Sequence, residues 1–254
     1  MPFADLKSCS LNYRLILGNA DVPTLVFLHE GLGSISLWRD FPDRVARKLG
    51  ARALIYSRSG YGRSSPLLAK REPGFMHHEA LEVLPELLAT LGIEKPLLIG
   101  HSDGASIALI YGAEHPENAA GLVLMAPHVF VEALTLTSIA RAAEAYESGD
   151  LRDRLAQYHD HVDDAFRGWS DIWLNPRFGT WNLGKEVSSL RVPTLVIQGD
   201  DDPYGTLAQL DAFEAAKTVT VTRLVLSACG HSPHRDQESK VVDAISTFAA
   251  NSVS

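Results

Sequence analysis

Several features that mark whole classes of protein are missing from this sequence. Only 2 of the 254 residues are cysteine, and Cys9 and Cys229 are too far apart in sequence to suggest a zinc site or a disulfide framework. No apolar run reaches the roughly 18 residues of a membrane helix. The first residues lack the basic and apolar regions of a secretory signal, so we expect a cytoplasmic protein.

An excess of positive charge is also absent. Lys and Arg number 23 against 31 for Asp and Glu, which leaves a net charge of -8. This balance opposes binding to nucleic acid or to an anionic membrane, so the expected partner is a small molecule. Self-association into a homodimer stays open. The apolar fraction of 46% and the charged fraction of 21% are those of a globular protein with one large core.

Short apolar runs alternate with segments of helical periodicity, which predicts an α/β fold with a mostly parallel central sheet flanked by helices. The predicted strands are residues 24–29, 51–57, 96–100, 121–126, 194–199 and 222–227. The predicted helices are residues 38–49, 75–91, 102–114, 205–217 and 236–249. Residues 10–17 could add a hairpin at the edge of the sheet.

One long segment interrupts the alternation. Residues 128–183 contain no convincing strand and have helical spacing. We therefore predict a core of residues 1–127 and 184–254 and a helical cap of residues 128–183. An insertion at this place would cover the carboxyl ends of the strands, where open α/β sheets bind ligands.

The strongest chemical signal is Gly100-His101-Ser102-Asp103-Gly104, which fits the pattern G-x-S-x-G. The match follows an apolar strand and opens a predicted helix. A sharp turn between strand and helix would strain the backbone of Ser102 and expose its hydroxyl. The context therefore favours a nucleophile over an ordinary turn serine.

A serine nucleophile requires a histidine base and a carboxylate that orients the histidine. The strand at 194–199 is followed by Asp202, with Asp200 and Asp201 as weaker candidates. The next strand leads to His231, with His234 as a rival base. These residues predict a triad of Ser102, His231 and Asp202.

At this point the sequence resembles the α/β-hydrolase fold family, in its branch with a serine nucleophile. The resemblance covers nearly the whole chain and rests on five features in order: residues 29–33, residues 58–64, the turn at Ser102, the loop 199–202 and Gly230-His231. It implies a Ser-Asp-His order along the chain, an oxyanion hole and no cofactor. The oxyanion donors implied are the backbone N–H groups of Gly31 and Asp103.

The loop after the first predicted strand departs from the family pattern. Relatives usually show His-Gly there, whereas this chain has His29-Glu30. Glu30 either pairs with Arg58 or caps its loop, or it faces the substrate and disfavours anionic groups. The candidate residues of the substrate pocket are Glu30, Leu32, His128, Trp169 and Trp173.

The run His159-Asp160-His161-Val162-Asp163-Asp164 begins like a dinuclear zinc site. Further histidines at set distances are missing and position 164 is Asp, so the sequence predicts no metal.

The expected activity is hydrolysis of a small, largely apolar carboxylic ester through an acyl-enzyme. A lactonase, a thioesterase, a C–C bond hydrolase and an acyltransferase could use the same triad. A receptor that binds a small molecule without turning it over is the alternative from another class.

Overall fold

Eight strands form a single sheet in the computed structural model, which describes residues 1–216 and 221–252. The strands are β1 (Phe3–Asp5), β2 (Ser10–Ile16), β3 (Leu25–Leu28), β4 (Ala53–Tyr56), β5 (Leu97–His101), β6 (Gly121–Met125), β7 (Thr194–Gly199) and β8 (Val221–Leu226). Their order across the sheet is β1-β2-β4-β3-β5-β6-β7-β8. β2 is antiparallel to β1 and β4, and all other pairs are parallel.

Helices follow most of the parallel strands, as the crossover between parallel neighbours requires. They are α1 (Phe41–Leu49), α2 (Phe75–His78), α3 (Leu84–Thr90), α4 (Asp103–Glu114), α5 (Ala133–Ser148), α6 (Leu151–Ala156), α7 (Val162–Trp173), α8 (Gly184–Ser189), α9 (Ala208–Asp211), α10 (Pro233–Asp236) and α11 (Glu238–Ser252). No helix in the part of the chain that the structure describes is long and apolar enough to cross a membrane.

The sheet is covered on both faces, which explains the unbroken apolar character of its central strands. Successive side chains of β3 point to opposite faces. Phe27 packs in the cluster with Val45 of α1 and Ile245 of α11, whereas Val26 packs in the cluster that contains Ile107 of α4. The sheet therefore separates two hydrophobic cores.

The predicted fold class is confirmed: the chain has a mostly parallel α/β sheet flanked by helices. All six predicted strands are present within two residues of their expected ends. Residues 10–16 do form a strand of an edge hairpin, whose other strand is β1. Residues 128–183 hold α5, α6 and α7, and no strand lies among them.

Three predicted helices differ from the structure. The helix predicted from residue 38 begins at Phe41, because Trp38 closes a separate 3₁₀ turn that starts at Ile35. The helix predicted over 205–217 is reduced to α9 and one 3₁₀ turn that ends at Ala215, and Lys217 lies outside the described residues. The last predicted helix, 236–249, is instead α10 followed by the longer α11.

The start of α4 lies directly against the end of β3. A Cβ atom on Gly104 would stand 2.5 Å from the carbonyl carbon of Leu28. Gly100 is equally tight, because a Cβ there would stand 2.5 Å from the Cα of Ala105. The two glycines thus allow the turn at residue 102 to pack between neighbouring strands.

Replacing Gly104 by Ala should destabilise the protein, because the clash is with backbone and no side chain can rotate away. We expect the free energy of unfolding, measured in urea, to fall by about 3 kcal/mol. Gly74→Ala is the matched control, since its Cβ would meet no atom within 4 Å. The control should lie within about 0.5 kcal/mol of the wild type. Equal stability of the two variants would contradict this account of the turn.

Candidate active site

Three side chains from three loops meet at the carboxyl edge of the sheet. Ser102 follows β5, Asp202 follows β7 and His231 follows β8. The Oγ of Ser102 lies 2.9 Å from Nε2 of His231. On the other side of the ring, Nδ1 of His231 lies 2.8 Å from Oδ2 and 2.9 Å from Oδ1 of Asp202. The structure therefore brings together the three residues that the sequence predicted as a triad.

The backbone of Ser102 is in the left-handed region, with φ 53° and ψ -119°. A residue other than glycine adopts this conformation only when its surroundings enforce it, at a cost of about 1–3 kcal/mol. The amide of Ser102 donates a 2.9 Å hydrogen bond to the carbonyl of Met125 at the end of β6. This bond holds the strained turn and presents the hydroxyl above the sheet.

Asp202 is held by more than the histidine. Its Oδ1 accepts a 2.8 Å hydrogen bond from the N–H of Tyr204, and its Oδ2 accepts one of 2.6 Å from the side-chain amide of Gln198. Burial raises the pKa of the Asp202 carboxyl. The hydrogen bond and charge of His231 and the bond from Tyr204 outweigh burial, and the pKa is lowered overall. Asp202 is therefore ionised at neutral pH.

The rival acids lie next to Asp202 but have other surroundings. The carboxylate of Asp200 accepts a hydrogen bond of 2.8 Å from the N–H of Ala228. Asp201 is exposed, and within residues 1–216 and 221–252 its carboxylate has no hydrogen-bond partner. The backbone N–H of Asp200 donates to the carbonyl of Leu226 at the end of β8, and that of Asp201 donates to the carbonyl of Cys229. These bonds hold the loop of Asp202 against the segment that leads to His231.

The rival base His234 is buried away from Ser102. Its ring packs at 4.9 Å from Trp38 and 5.3 Å from Phe41, between ring centroids. Neither ring nitrogen has a hydrogen-bond partner among the described residues. Burial lowers the pKa of His234 well below its usual value, so the ring is neutral.

Two further histidines surround the site without touching the hydroxyl. His29 links the early loops, because its Nε2 accepts from the N–H of Arg58 and its Nδ1 lies 2.7 Å from the carbonyl of Glu30. His128 packs at 5.7 Å from the ring of His231. Burial, with the nearby His231, lowers the pKa of His128 to about 3.

A cavity of about 100 Å³ opens at the Ser102 hydroxyl. It is lined by Glu30, Gly31, Leu32, Ser102, His128, Thr135, Ile139, Trp169, Trp173, Tyr204 and His231. All five residues that the sequence analysis placed in the pocket are in this set. Trp169 and Trp173 of α7 belong to the lining, so the predicted cap segment contributes directly to the cavity.

Sequence reasoning missed four residues of the site. Tyr204 packs at 4.8 Å from the ring of His231, and Thr135 and Ile139 of α5 line the cavity. The side-chain amide of Gln198 donates a hydrogen bond to Asp202. A signal existed only for Gln198, which is a polar residue near the end of an otherwise apolar strand.

Two backbone N–H groups near the serine turn are candidate anion donors, those of Gly31 and Asp103. Asp103 is the first residue of α4, where an amide has no partner within the helix. Gly31 lines the cavity directly. Within the ranges that the structure describes, neither N–H donates to a protein acceptor.

Comparison with known proteins agrees with this geometry. A model of the alpha/beta hydrolase fold family matches residues 23–167, more than half of the chain. The chain belongs to the α/β hydrolase fold family.

Relatives within this family carry several activities. A proline iminopeptidase of Lactobacillus helveticus is 26% identical over 91% of this chain and 90% of its own length. A 2-hydroxy-6-oxononadienedioate/2-hydroxy-6-oxononatrienedioate hydrolase of Comamonas testosteroni is 24% identical over 76% of each chain. The solved enol-lactonase of Burkholderia xenovorans LB400 is 21% identical, with a TM-score of 0.76 over 98% of this chain and 100% of its own. The last likeness shows the fold alone.

The residue after Ser102 connects the serine turn of this α/β hydrolase to helix α7. Asp103 is fully buried, and its Oδ1 accepts a 3.2 Å hydrogen bond from the indole N–H of Trp173. Burial raises the pKa of the Asp103 carboxyl. The side chain of Asp103 therefore holds the end of α7 through the hydrogen bond from Trp173.

Glu30 has different partners from those the sequence suggested. The guanidinium of Arg58 donates to the main-chain carbonyl of Glu30, at 3.0 Å, and not to its carboxylate. The carboxylate lies 3.4 Å from Nδ1 of His101 and 3.8 Å from Nη2 of Arg235. His101, in turn, lies with Nε2 2.6 Å from the carbonyl of His231. Of the alternatives for Glu30, the pairing with Arg58 is found through the main-chain carbonyl, and the carboxylate has the other partners.

The histidine and aspartate run of the cap segment has structural partners. The ring of His159 accepts from the N–H of Gly62, and its other nitrogen lies 3.1 Å from the carbonyl of Leu32. Hydrogen bonds from Arg152 and Tyr146 lower the pKa of Asp163 to about 2. In the described ranges no group of three or more His, Cys, Asp or Glu side chains could hold a metal ion.

The lowered pKa of Asp202 predicts a measurable dependence of stability on pH. A carboxyl whose pKa is lower in the folded protein adds stability above its unfolded value of about 3.9. That contribution is lost as the pH falls through the folded value. The free energy of unfolding should therefore decrease less steeply below pH ~4 for Asp202→Asn than for the wild type. Asp201→Asn is the control and should keep the wild-type slope; equal slopes for all three proteins would contradict the assignment.

Proposed function

We propose that this chain is a serine hydrolase that cleaves a small, largely apolar carboxylic ester through an acyl-enzyme. The observation that carries the proposal is the continuous set of contacts from the Ser102 hydroxyl through His231 to the ionised Asp202. Each distance is within normal hydrogen-bond range. This arrangement supplies a nucleophile, a base and a carboxylate that orients the base.

In the first half of the reaction, Ser102 attacks the carbonyl carbon of the ester. Nε2 of His231 accepts the hydroxyl proton as the new C–O bond forms. Asp202 receives the Nδ1–H bond, which keeps Nε2 free to act as the base. The same proton is then given to the departing alcohol, and the acyl group stays on Ser102.

The negative charge on the carbonyl oxygen requires donors that are already in place. The free N–H groups of Gly31 and Asp103 are our candidates. Because neither amide must break a bond with the protein, they can receive the oxyanion without rearrangement. The strained turn at Ser102 brings the N–H of Asp103 next to the nucleophile.

In the second half, water replaces the alcohol. His231 accepts a proton from water, the hydroxide oxygen attacks the acyl carbon, and collapse of the second tetrahedral intermediate returns the proton to Ser102. The reaction needs no metal or organic cofactor. A small-molecule ester is the only partner that the proposal requires, and we propose a cytoplasmic location.

The cavity dimensions support a small acyl group. Drug-sized ligands occupy pockets of about 300–1,000 Å³, whereas this cavity measures about 100 Å³. Its apolar and aromatic lining favours a hydrocarbon chain. We propose that residues 128–183 act as the cap of the site, because α7 supplies the two tryptophans that line the cavity.

Turnover of p-nitrophenyl esters from acetyl to octanoyl tests both the chemistry and the size of the pocket. We expect the highest kcat/KM for acetyl to butyryl, with a decline at hexanoyl and octanoyl. Ser102→Ala should lower turnover by about 10⁴-fold or more while the melting temperature stays unchanged. A Ser102→Ala protein with the wild-type rate would exclude the mechanism. If no ester were hydrolysed, the result would favour C–C bond hydrolysis, or a receptor that binds a small molecule without turning it over.

The assignment of the acid can be tested by two neighbouring substitutions. Asp202→Asn should reduce kcat by about 10⁴-fold, because the amide favours the wrong tautomer of His231. Asp201→Asn should retain most activity, since the Asp201 side chain is exposed. If Asp201→Asn were the impaired variant, the acid would be Asp201 and the proposed triad would be wrong.

A further inference from the structure

The cavity at Ser102 has one charged side chain at the wall and no balancing cation there. Among its lining residues, all of which the structure describes, Glu30 is the only Asp, Glu, Lys or Arg. The other polar side-chain groups are hydroxyls, the indole N–H groups of Trp169 and Trp173 and the imidazoles of His128 and His231. A substrate that enters the cavity therefore meets a single fixed charge, and that charge is negative.

The carboxylate of Glu30 is ionised in this position. Burial raises its pKa, but the contact with His101 outweighs burial and lowers the pKa well below its usual value. About 18% of the Glu30 side chain is exposed. The charge is thus not neutralised by protonation, and Glu30 is one of the residues that line the cavity.

Glu30 lines the same cavity as Ser102, and its neighbours belong to the segments that carry the reacting residues. Glu30 directly precedes Gly31, and its partner His101 directly precedes Ser102. The ring of His101 also packs at 5.1 Å from the ring of His231. Movement of the carboxylate is restricted because Gly33, where a Cβ would stand 2.7 Å from its Cδ, folds over it.

Two positive charges lie nearby, but neither residue lines the cavity: the guanidinium of Arg58 donates to the main-chain carbonyl of Glu30, and that of Arg235 lies near its carboxylate. Nη2 of Arg235 lies 3.8 Å from Oε1 of Glu30, and the same nitrogen donates to the carbonyl of Leu37. The Arg235 side chain is 31% exposed, so water screens this ion pair. Arg235 is not among the residues that line the cavity.

We propose that Glu30 determines the charge specificity of the site, so that acyl groups carrying a carboxylate are disfavoured and neutral or ammonium-bearing acyl groups are accepted. This inference rests on the proposed ester hydrolysis and names its substrate class. The ring faces of Trp169, Trp173 and Tyr204 fit both accepted classes, because aromatic rings pack against hydrocarbon and attract cations.

Coulomb's law gives the order of magnitude of the repulsion between Glu30 and a carboxylate of the substrate. At an effective dielectric constant of about 20, two like charges about 6 Å apart repel enough to change an equilibrium constant by about 100-fold. Screening by solvent reduces this value. We therefore expect a 10- to 100-fold penalty for a carboxylate in the acyl group.

Two pairs of methyl esters of matched shape measure this penalty. Monomethyl succinate is compared with methyl 4-methylpentanoate, in which an isopropyl group replaces the carboxylate. The methyl ester of β-alanine, as its ammonium ion, is compared with methyl butanoate. Hydrolysis is followed by acid release at constant pH, and each pair gives a ratio of kcat/KM that is independent of the total activity of a variant.

The variants separate charge from a structural role. Glu30→Gln removes the charge but keeps a side chain of the same size beside His101. Glu30→Asp keeps the charge. Glu114→Gln removes the same charge from the exposed far end of α4 and serves as the matched control.

The wild type, Glu30→Asp and Glu114→Gln should all prefer the isopropyl ester over the succinate by 10- to 100-fold. In Glu30→Gln this preference should shrink by at least 10-fold, and the ratio for the ammonium ester should fall. An unchanged ratio in Glu30→Gln would overturn the inference, even if its total activity were lower. A wild type that hydrolyses both members of the succinate pair equally would do the same.

Failure of the proposed ester hydrolysis can be distinguished from failure of the inference about Glu30. In that case the neutral esters would show no turnover that depends on Ser102. Binding of the same four esters to Ser102→Ala and to Ser102→Ala/Glu30→Gln, measured by titration calorimetry, then tests the charge specificity without any chemistry. Equal affinity for the two members of the succinate pair in Ser102→Ala would refute the role of Glu30.

Discussion

The site depends on one constraint, the left-handed turn at Ser102 between β5 and α4. The turn exists because Gly104 allows α4 to start against the carbonyl of Leu28, and because the amide of Ser102 is held by Met125. These contacts come from β3 and β6, the two strands on either side of β5. The strain of the turn is thus balanced by the packing of the central sheet, and a change in either neighbour would move the hydroxyl.

The histidine rings around this turn have different roles because they differ in burial. His29, His128 and His234 are almost completely buried, and burial lowers the pKa of each, which keeps them neutral. The side chain of His231 is 16% exposed and alone contacts both the serine and an ionised carboxylate. The nearby carboxylates differ in the same way, since hydrogen bonds lower the pKa of Asp202 and burial raises that of Asp103. Environment, more than residue type, therefore separates the base from its neighbours.

The sequence predicted the sheet well because apolar runs of buried parallel strands are a local signal. The placement of Ser102, Asp202 and His231 was also predictable, since each follows a strand whose carboxyl end lies at the same edge. The partners of Glu30 were not, because its contact with His101 joins residues 71 positions apart through tertiary packing. Thr135 and Ile139 were missed for a similar reason, because helical spacing does not say which face of α5 lines the cavity. Tyr204 was missed because it lies in a loop, where the sequence does not indicate which side chains face the site. The helix predicted over 205–217 was too long, because the buried Leu210 and Phe213 reach the core from two short helical turns.

The charge at Glu30 bears on which of the related activities this chain could share. The fold is common to the family and one triad could serve several reactions, so neither distinguishes an esterase from a lactonase, a peptidase or a C–C bond hydrolase. The relative from Comamonas testosteroni is named for substrates that are dicarboxylates. A site for such a molecule would need a cation to receive a carboxylate, and the described cavity offers a carboxylate of its own. Dicarboxylate substrates are therefore a poor match for this cavity, whereas neutral esters and substrates with a protonated amine fit its charge. In our proposal, the residue that departs from the usual His-Gly pattern is thus the one that narrows the substrate class.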